Sequence, residues 1–140
     1  MTYKQVIRQL QKIALEQHNV RSTGYGDLYR DLQADPSIKY DVFYITSNQS
    51  SSYGEFDRFS LNLFWISRLE NMDGDNTLQL HSIGKEILDI IANTFCNRFT
   101  AEIYGTTYYN FFTQRFADEC AGLWMTITFQ VPKSVICEEV

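Results

Sequence analysis

Histidine occurs only twice in this chain, at His18 and His81, and cysteine three times, at Cys96, Cys120 and Cys137, with no C-x-x-C spacing. Both scarcities argue against a metal centre, which gathers several such ligands at short, regular intervals. The cysteines are expected to be free thiols in a reducing cytoplasm. No apolar run approaches the roughly 20 residues that a membrane helix needs. The opening residues, Met1 to Leu10, form an amphipathic pattern and do not read as a signal peptide, because no continuous apolar segment follows. Cations are scarce too: 12 Lys and Arg stand against 17 Asp and Glu, a net charge of −5, and they are scattered. Nucleic-acid binding needs a clustered basic patch to neutralise phosphates, so none is expected. An acidic wall past which nucleic acid slides without being gripped fits the same balance.

What is abundant is aromatic: ten Phe, nine Tyr and two Trp in 140 residues. That length predicts one domain with a real core, here residues 1–132, followed by a tail at 133–140. Val6, Ile7, Leu10, Ile13 and Ala14 recur at the helical period and predict a helix over 2–18. Lys4, Arg8 and Lys12 repeat every fourth residue on another of its faces. That row reads either as a solvated surface or as a docking stripe for acidic residues on a neighbouring subunit.

Residues 21–27, with Gly24 and Gly26, read as a loop, and 27–32 as a short helical turn ended by Asp35-Pro36. Strands are predicted over 39–46 and 56–69, the second with Phe59, Leu61, Leu63 and Trp65 on one face. The Ser-rich stretch 48–54 between them reads as a polar loop that orders only against a partner. A second helix is predicted over 77–97, with Leu80, Ile83, Ile87, Ile90, Ile91 and Thr94 on one stripe. Two further strands follow, 103–116 and a last one through Val131, turning near Ala117-Asp118 and stopped by Pro132. The expected fold class is α+β: an antiparallel sheet of about four strands, in the order α-β-β-α-β-β, with two main helices packed on one face.

A search for chemistry finds little. The loop Asn71-x-Asp73-x-Asp75 spaces oxygen donors as a calcium loop does, but its glycine stands fourth instead of sixth and Ser82 replaces the bidentate Glu. Gly24-x-Gly26 lacks both the third glycine of a dinucleotide loop and the lysine of a phosphate loop. Ser50, Ser51 and Ser52 have no histidine nearby. No catalytic, cofactor-binding or metal-binding residue is therefore assigned, and the chain is not expected to be an enzyme.

The aromatic concentration lies in 103–116. Odd positions offer Ile103, Tyr109 and Phe111; even positions offer Tyr104, Tyr108, Phe112 and Phe116. A strand apolar on both faces needs cover on both, and in so short a chain another subunit is a natural source. Tyr104, Tyr108, Tyr109, Phe111, Phe112, Phe116 and Trp124, with Lys4, Arg8 and Lys12, are the candidate subunit-interface residues.

The whole layout resembles the tail terminator and tail-completion (head–tail joining) proteins of long-tailed bacteriophages. The resemblance rests on the N-terminal helix, the Gly24-x-Gly26-Asp27-Leu28-Tyr29 loop and the strands at 40–46 and 59–65. An acidic loop opening a long helix, and a closing hairpin from Phe111 through Asp118, Gly122 and Trp124 to Pro132, complete it. It implies a structural virion protein at the neck or tail, assembled in the host bacterial cytoplasm, that works by shape and symmetry without turnover. It implies a ring of identical subunits, commonly six and alternatively twelve, around the DNA channel, contacting tail-tube and portal (connector) proteins. No cofactor, membrane or specific DNA contact is implied. Asp73, Asp75, Asp118 and Glu119 are the loop carboxylates assigned to the channel, from loop position alone. The alternative is a soluble oligomeric α+β binding module that holds a protein or small ligand on its sheet.

Overall fold

The computed structural model describes residues 1–34, 39–69, 74–115 and 119–133. Helix α1 (Tyr3–Leu15) starts at a capping box, in which the Thr2 hydroxyl accepts from the Gln5 amide and Gln5 Oε1 accepts from the Thr2 amide. Its stripe of Val6, Ile7, Leu10, Ile13 and Ala14 is buried, as its period predicts. Strand β1 (Ser22–Tyr25) and helix α2 (Leu28–Ala34) precede β2 (Val42–Ser47), β3 (Ser51–Tyr53) and β4 (Phe56–Arg68). The long helix α3 (Gly74–Phe99) then leads to β5 (Glu102–Ile103), β6 (Tyr108–Arg115) and β7 (Glu119–Pro132).

The strands form one seven-stranded sheet with the path β1-β2-β4-β7-β5, while β3 pairs with β4 and β6 with β7. This corrects the expected architecture in two respects. Among the described residues there are seven strands, not about four, and the sheet is mixed, because β1 runs parallel to β2. A parallel neighbour requires a crossover, and α2 lies on that connection. The predicted loop at 21–27 is thus largely strand, and the Ser-rich stretch 48–54 contains β3, held on β4 without any outside partner. The predicted long strand 56–69 is β4. It pairs with β7 over its whole length, from Phe56 opposite Pro132 to Arg68 opposite Cys120.

The expected strand 103–116 is two strands. Ile103 sits opposite Phe129 and Tyr108 opposite Thr126, so the chain spends two more residues than β7 between these points. Gly105 absorbs the detour at a φ of 73°, where a side chain would be strained. Because the excess is even, Ile103, Tyr109 and Phe111 keep a common face.

Both long helices pack on that face. Phe43, Ile45, Leu61, Leu63, Trp65, Leu123, Met125, Ile127, Phe129 and Val131 form one buried cluster with the apolar stripes of α1 and α3. Trp65 is buried within it, and its indole N–H donates to the Asn19 carbonyl at 3.1 Å, tying the chain after α1 to the core. The other face carries a smaller cluster, where Leu28 and Leu32 of α2 cover Val42, Tyr44 and Ile66. Next to it Asn62 bridges Thr46 and Thr126 in a polar cross-strand ladder. Among the described residues Cys96 and Cys120 form no disulfide; Cys137, like the rest of the expected tail beyond Lys133, lies outside the described residues.

Candidate assembly surface

β6 is one lateral edge of the sheet: among the described residues it pairs with β7 and with no other strand. Register decides where its aromatic side chains go. Tyr109 and Phe111 lie opposite Met125 and Leu123 and share the face of α1 and α3; Tyr108 and Phe112 lie opposite Thr126 and Gly122 and share the other.

On the helix-covered face, the Tyr109 hydroxyl donates to Asp89 Oδ1 at 2.6 Å, and Asp89 Oδ2 pairs with Lys85 at 2.8 Å. Loss of solvent, reinforced by the Asp89 carboxylate, pushes the Tyr109 hydroxyl up to about 12, so it remains a donor. The Phe111 ring lies 5.2 Å from that of His81, whose Nε2 donates to the Phe112 carbonyl at 2.9 Å when it carries the proton. These bonds fasten α3 to the edge strand.

Alongside them a groove of about 660 Å³ runs between α3 and β6, lined by Leu78, His81, Glu86, Ile90, Asn93 and Phe111 among others. Leu78 is 67 % exposed, Phe111 49 % and Ile90 42 %. Ile103 and Tyr108 extend the exposed apolar surface along the same edge. Large apolar side chains gathered beside an unpaired strand edge mark a surface suited to a protein partner.

The other aromatic candidates have different surroundings. Phe112 and Trp124 stack at 5.8 Å, and Trp124 on Phe64 at 5.5 Å, so both are half-buried packing residues. Tyr104 lies under the Arg58 guanidinium at 3.7 Å, with Tyr53 at 4.8 Å and Gln130 accepting from Arg58 Nε. Phe116 falls outside the described residues.

The basic row sits at the opposite side of the sheet. Lys4 and Arg8 line a second groove, of about 440 Å³, between α1 and the edge strand β1, together with Tyr3, Thr23 and Tyr25. The Tyr3 and Tyr25 hydroxyls are 2.9 Å apart, and Arg8 donates to Gln11 Oε1 at 2.9 Å. Lys12 continues the row, exposed, beside Glu16, whose carboxylate is held by Arg98 and lowered in pKa by it.

Of the loop carboxylates, Asp75 is exposed in the first turn of α3 and Glu119 begins β7, its carbonyl accepting from the Leu69 amide. Asp73 and Asp118 lie outside the described residues. The cleft at the start of α3, about 560 Å³, is lined by Arg21, Lys39, Asp41 and Arg68, so that end is not uniformly acidic.

Among the described residues no group of three or more His, Cys, Asp and Glu side chains is placed to hold a metal ion, and no helix is long and apolar enough to cross a membrane. Sequence reasoning missed Leu78 and placed Ile90 in the core stripe of its helix. Both end up exposed because they lie on the side of α3 turned away from its buried residues Ile87, Leu88 and Ile91. Compared with known proteins, the chain matches no protein-family model and no curated sequence.

Proposed function

We propose that this protein is a structural subunit of a ring at a bacteriophage neck or tail end, which terminates the tail tube or joins it to the capsid connector around the DNA channel. The observation that carries the reading is the exposed apolar groove of Leu78, Ile90 and Phe111 beside the unpaired edge of β6. Such a surface is costly to leave in water and gains most by burial against protein. Growth that must stop at a closed ring needs rigid, complementary surfaces, and here the edge strand is locked to α3 by Tyr109 and His81. The net charge of −5 suits a lumen along which DNA slides without being held. Electron microscopy of the chain mixed with tail-tube protein tests the reading. It should show closed rings and capped tube ends; a chain that forms no ring and leaves tubes and connector unoccupied contradicts it.

A further inference from the structure

Among the described residues, β1 ends the sheet on one side and β6, with the short β5 also on β7, ends it on the other; β1 and β6 are flanked on the same face by a helix, α1 beside β1 and α3 beside β6. Strand directions can be followed across the sheet. β1 and β2 run together, β4 is reversed, β7 is reversed again, and β6 once more. β6 therefore runs opposite to β1. If a second copy is placed beside the first with its strands and faces aligned, its β1 meets β6 antiparallel, and its α1 comes beside α3.

The charges agree with that placement. Among the described residues, Lys4 and Arg8 have no carboxylate within ion-pair distance, whereas in the α3–β6 groove Lys85 is taken by Asp89 and Glu86 is left over. One groove keeps uncompensated cations and the other an uncompensated carboxylate. Each edge also offers apolar surface, with Tyr25 at β1 and Phe111, Ile90 and Leu78 at β6. A two-fold pairing of β6 with β6 would bring Glu86 toward its own copy and leave the cations without a counter-charge.

We propose that the occupant of the α3–β6 groove is the α1–β1 edge of a second copy of this chain, so that Lys4 and Arg8 face Glu86 and the sheet continues antiparallel from subunit to subunit. The contact is head-to-tail, since it joins two different patches, and repeated around an axis it closes into a ring. The inference rests on the ring reading above and supplies its interface.

The test uses two variants that each spoil one patch. Lys4→Glu/Arg8→Glu reverses the α1–β1 edge, and Phe111→Asp disrupts the α3–β6 groove; Leu78→Asp, at the most exposed apolar position of the groove, replaces the latter if circular dichroism shows misfolding. Light scattering of the unaltered chain, alone or with tail-tube or connector protein, should give a closed oligomer, and each variant under the same conditions none. An equimolar mixture should give a heterodimer and nothing larger, because only one intact pair of patches remains. An unaltered oligomer whose variants keep its mass, or whose mixed variants stay monomeric, overturns this interface and leaves the ring reading standing. Dissociation by the groove variant but not by Lys4→Glu/Arg8→Glu points to the two-fold β6 pairing and also overturns it. An unaltered chain that self-associates neither alone nor with tail-tube or connector protein overturns both.

Discussion

Single residues hold the frame on which this surface depends, and Gly122 is the clearest case. A Cβ there would lie 2.1 Å from the Trp65 carbonyl oxygen and 3.1 Å from the Ile66 Cα, both backbone atoms of the paired strand β4. Neither can rotate away, so Gly122→Ala must separate β4 from β7 or bend one of them. We expect a loss of about 3 kcal/mol or more, within the range of overpacking in a closed core. Urea denaturation should show it, and a midpoint within error of the unaltered chain would contradict the packing described. Tyr109 gives a pH-dependent prediction. Its hydroxyl is raised from an ordinary 10 to about 12, so the neutral form is favoured by folding. That contribution is whole below pH 10 and is lost as pH rises toward 12. The difference in phenolate absorbance between the unaltered chain and Tyr109→Phe should therefore titrate near 12, and Asp89→Asn should lower that value only in part, burial being the larger cause. A difference spectrum that titrates at 10 removes the Tyr109–Asp89 bond from the account.

At the scale of elements, α1 depends on its first turn. Removing the hydroxyl by Thr2→Ala leaves the Gln5 amide unsatisfied and should cost about 1 kcal/mol, read from the thermal midpoint; an unchanged midpoint would mean that the capping box adds nothing. What was legible in the sequence follows the same division. Elements that bury one face against the core announce themselves: the stripe of α1, the alternation of Leu61, Leu63 and Trp65, and that of Leu123 through Val131 all lie where their periods put them. The short elements at the sheet edges do not. Ser22-Thr-Gly-Tyr25 has no apolar alternation and becomes a strand only because β2 offers it a parallel partner. Ser51–Tyr53 and Glu102–Ile103 are three- and two-residue strands held by longer neighbours. The aromatic richness of β6 could be read directly, but register against β7 fixes only the face each ring takes, and its neighbours decide cover: Phe112 packs on Trp124 while Tyr108 on the same face is exposed, as is Phe111 on the other. Leu78 and Ile90 were illegible for another reason: their helix is apolar over a broad arc, and only its packing on the sheet shows that the part through Ile87, Leu88 and Ile91 is the covered one.

At the scale of the whole molecule, a mixed sheet with two unlike edges and an exposed apolar groove supports the proposal that the protein assembles with itself. Its stability as a monomer should depend little on the groove, since Phe111 is half exposed, and Phe111→Asp is expected to change the unfolding free energy by about 1 kcal/mol or less while abolishing association. Denaturation and sedimentation on the same sample separate the two effects; a variant that unfolds would assign Phe111 to the core instead. The most direct test of the central claim is the solution mass by light scattering across protein concentration, alone and mixed with purified tail-tube or connector protein. A discrete ring mass, six subunits by the resemblance or twelve, alone or on mixing, is the predicted result. A chain that stays monomeric or dimeric at every concentration and ignores both partners would contradict it.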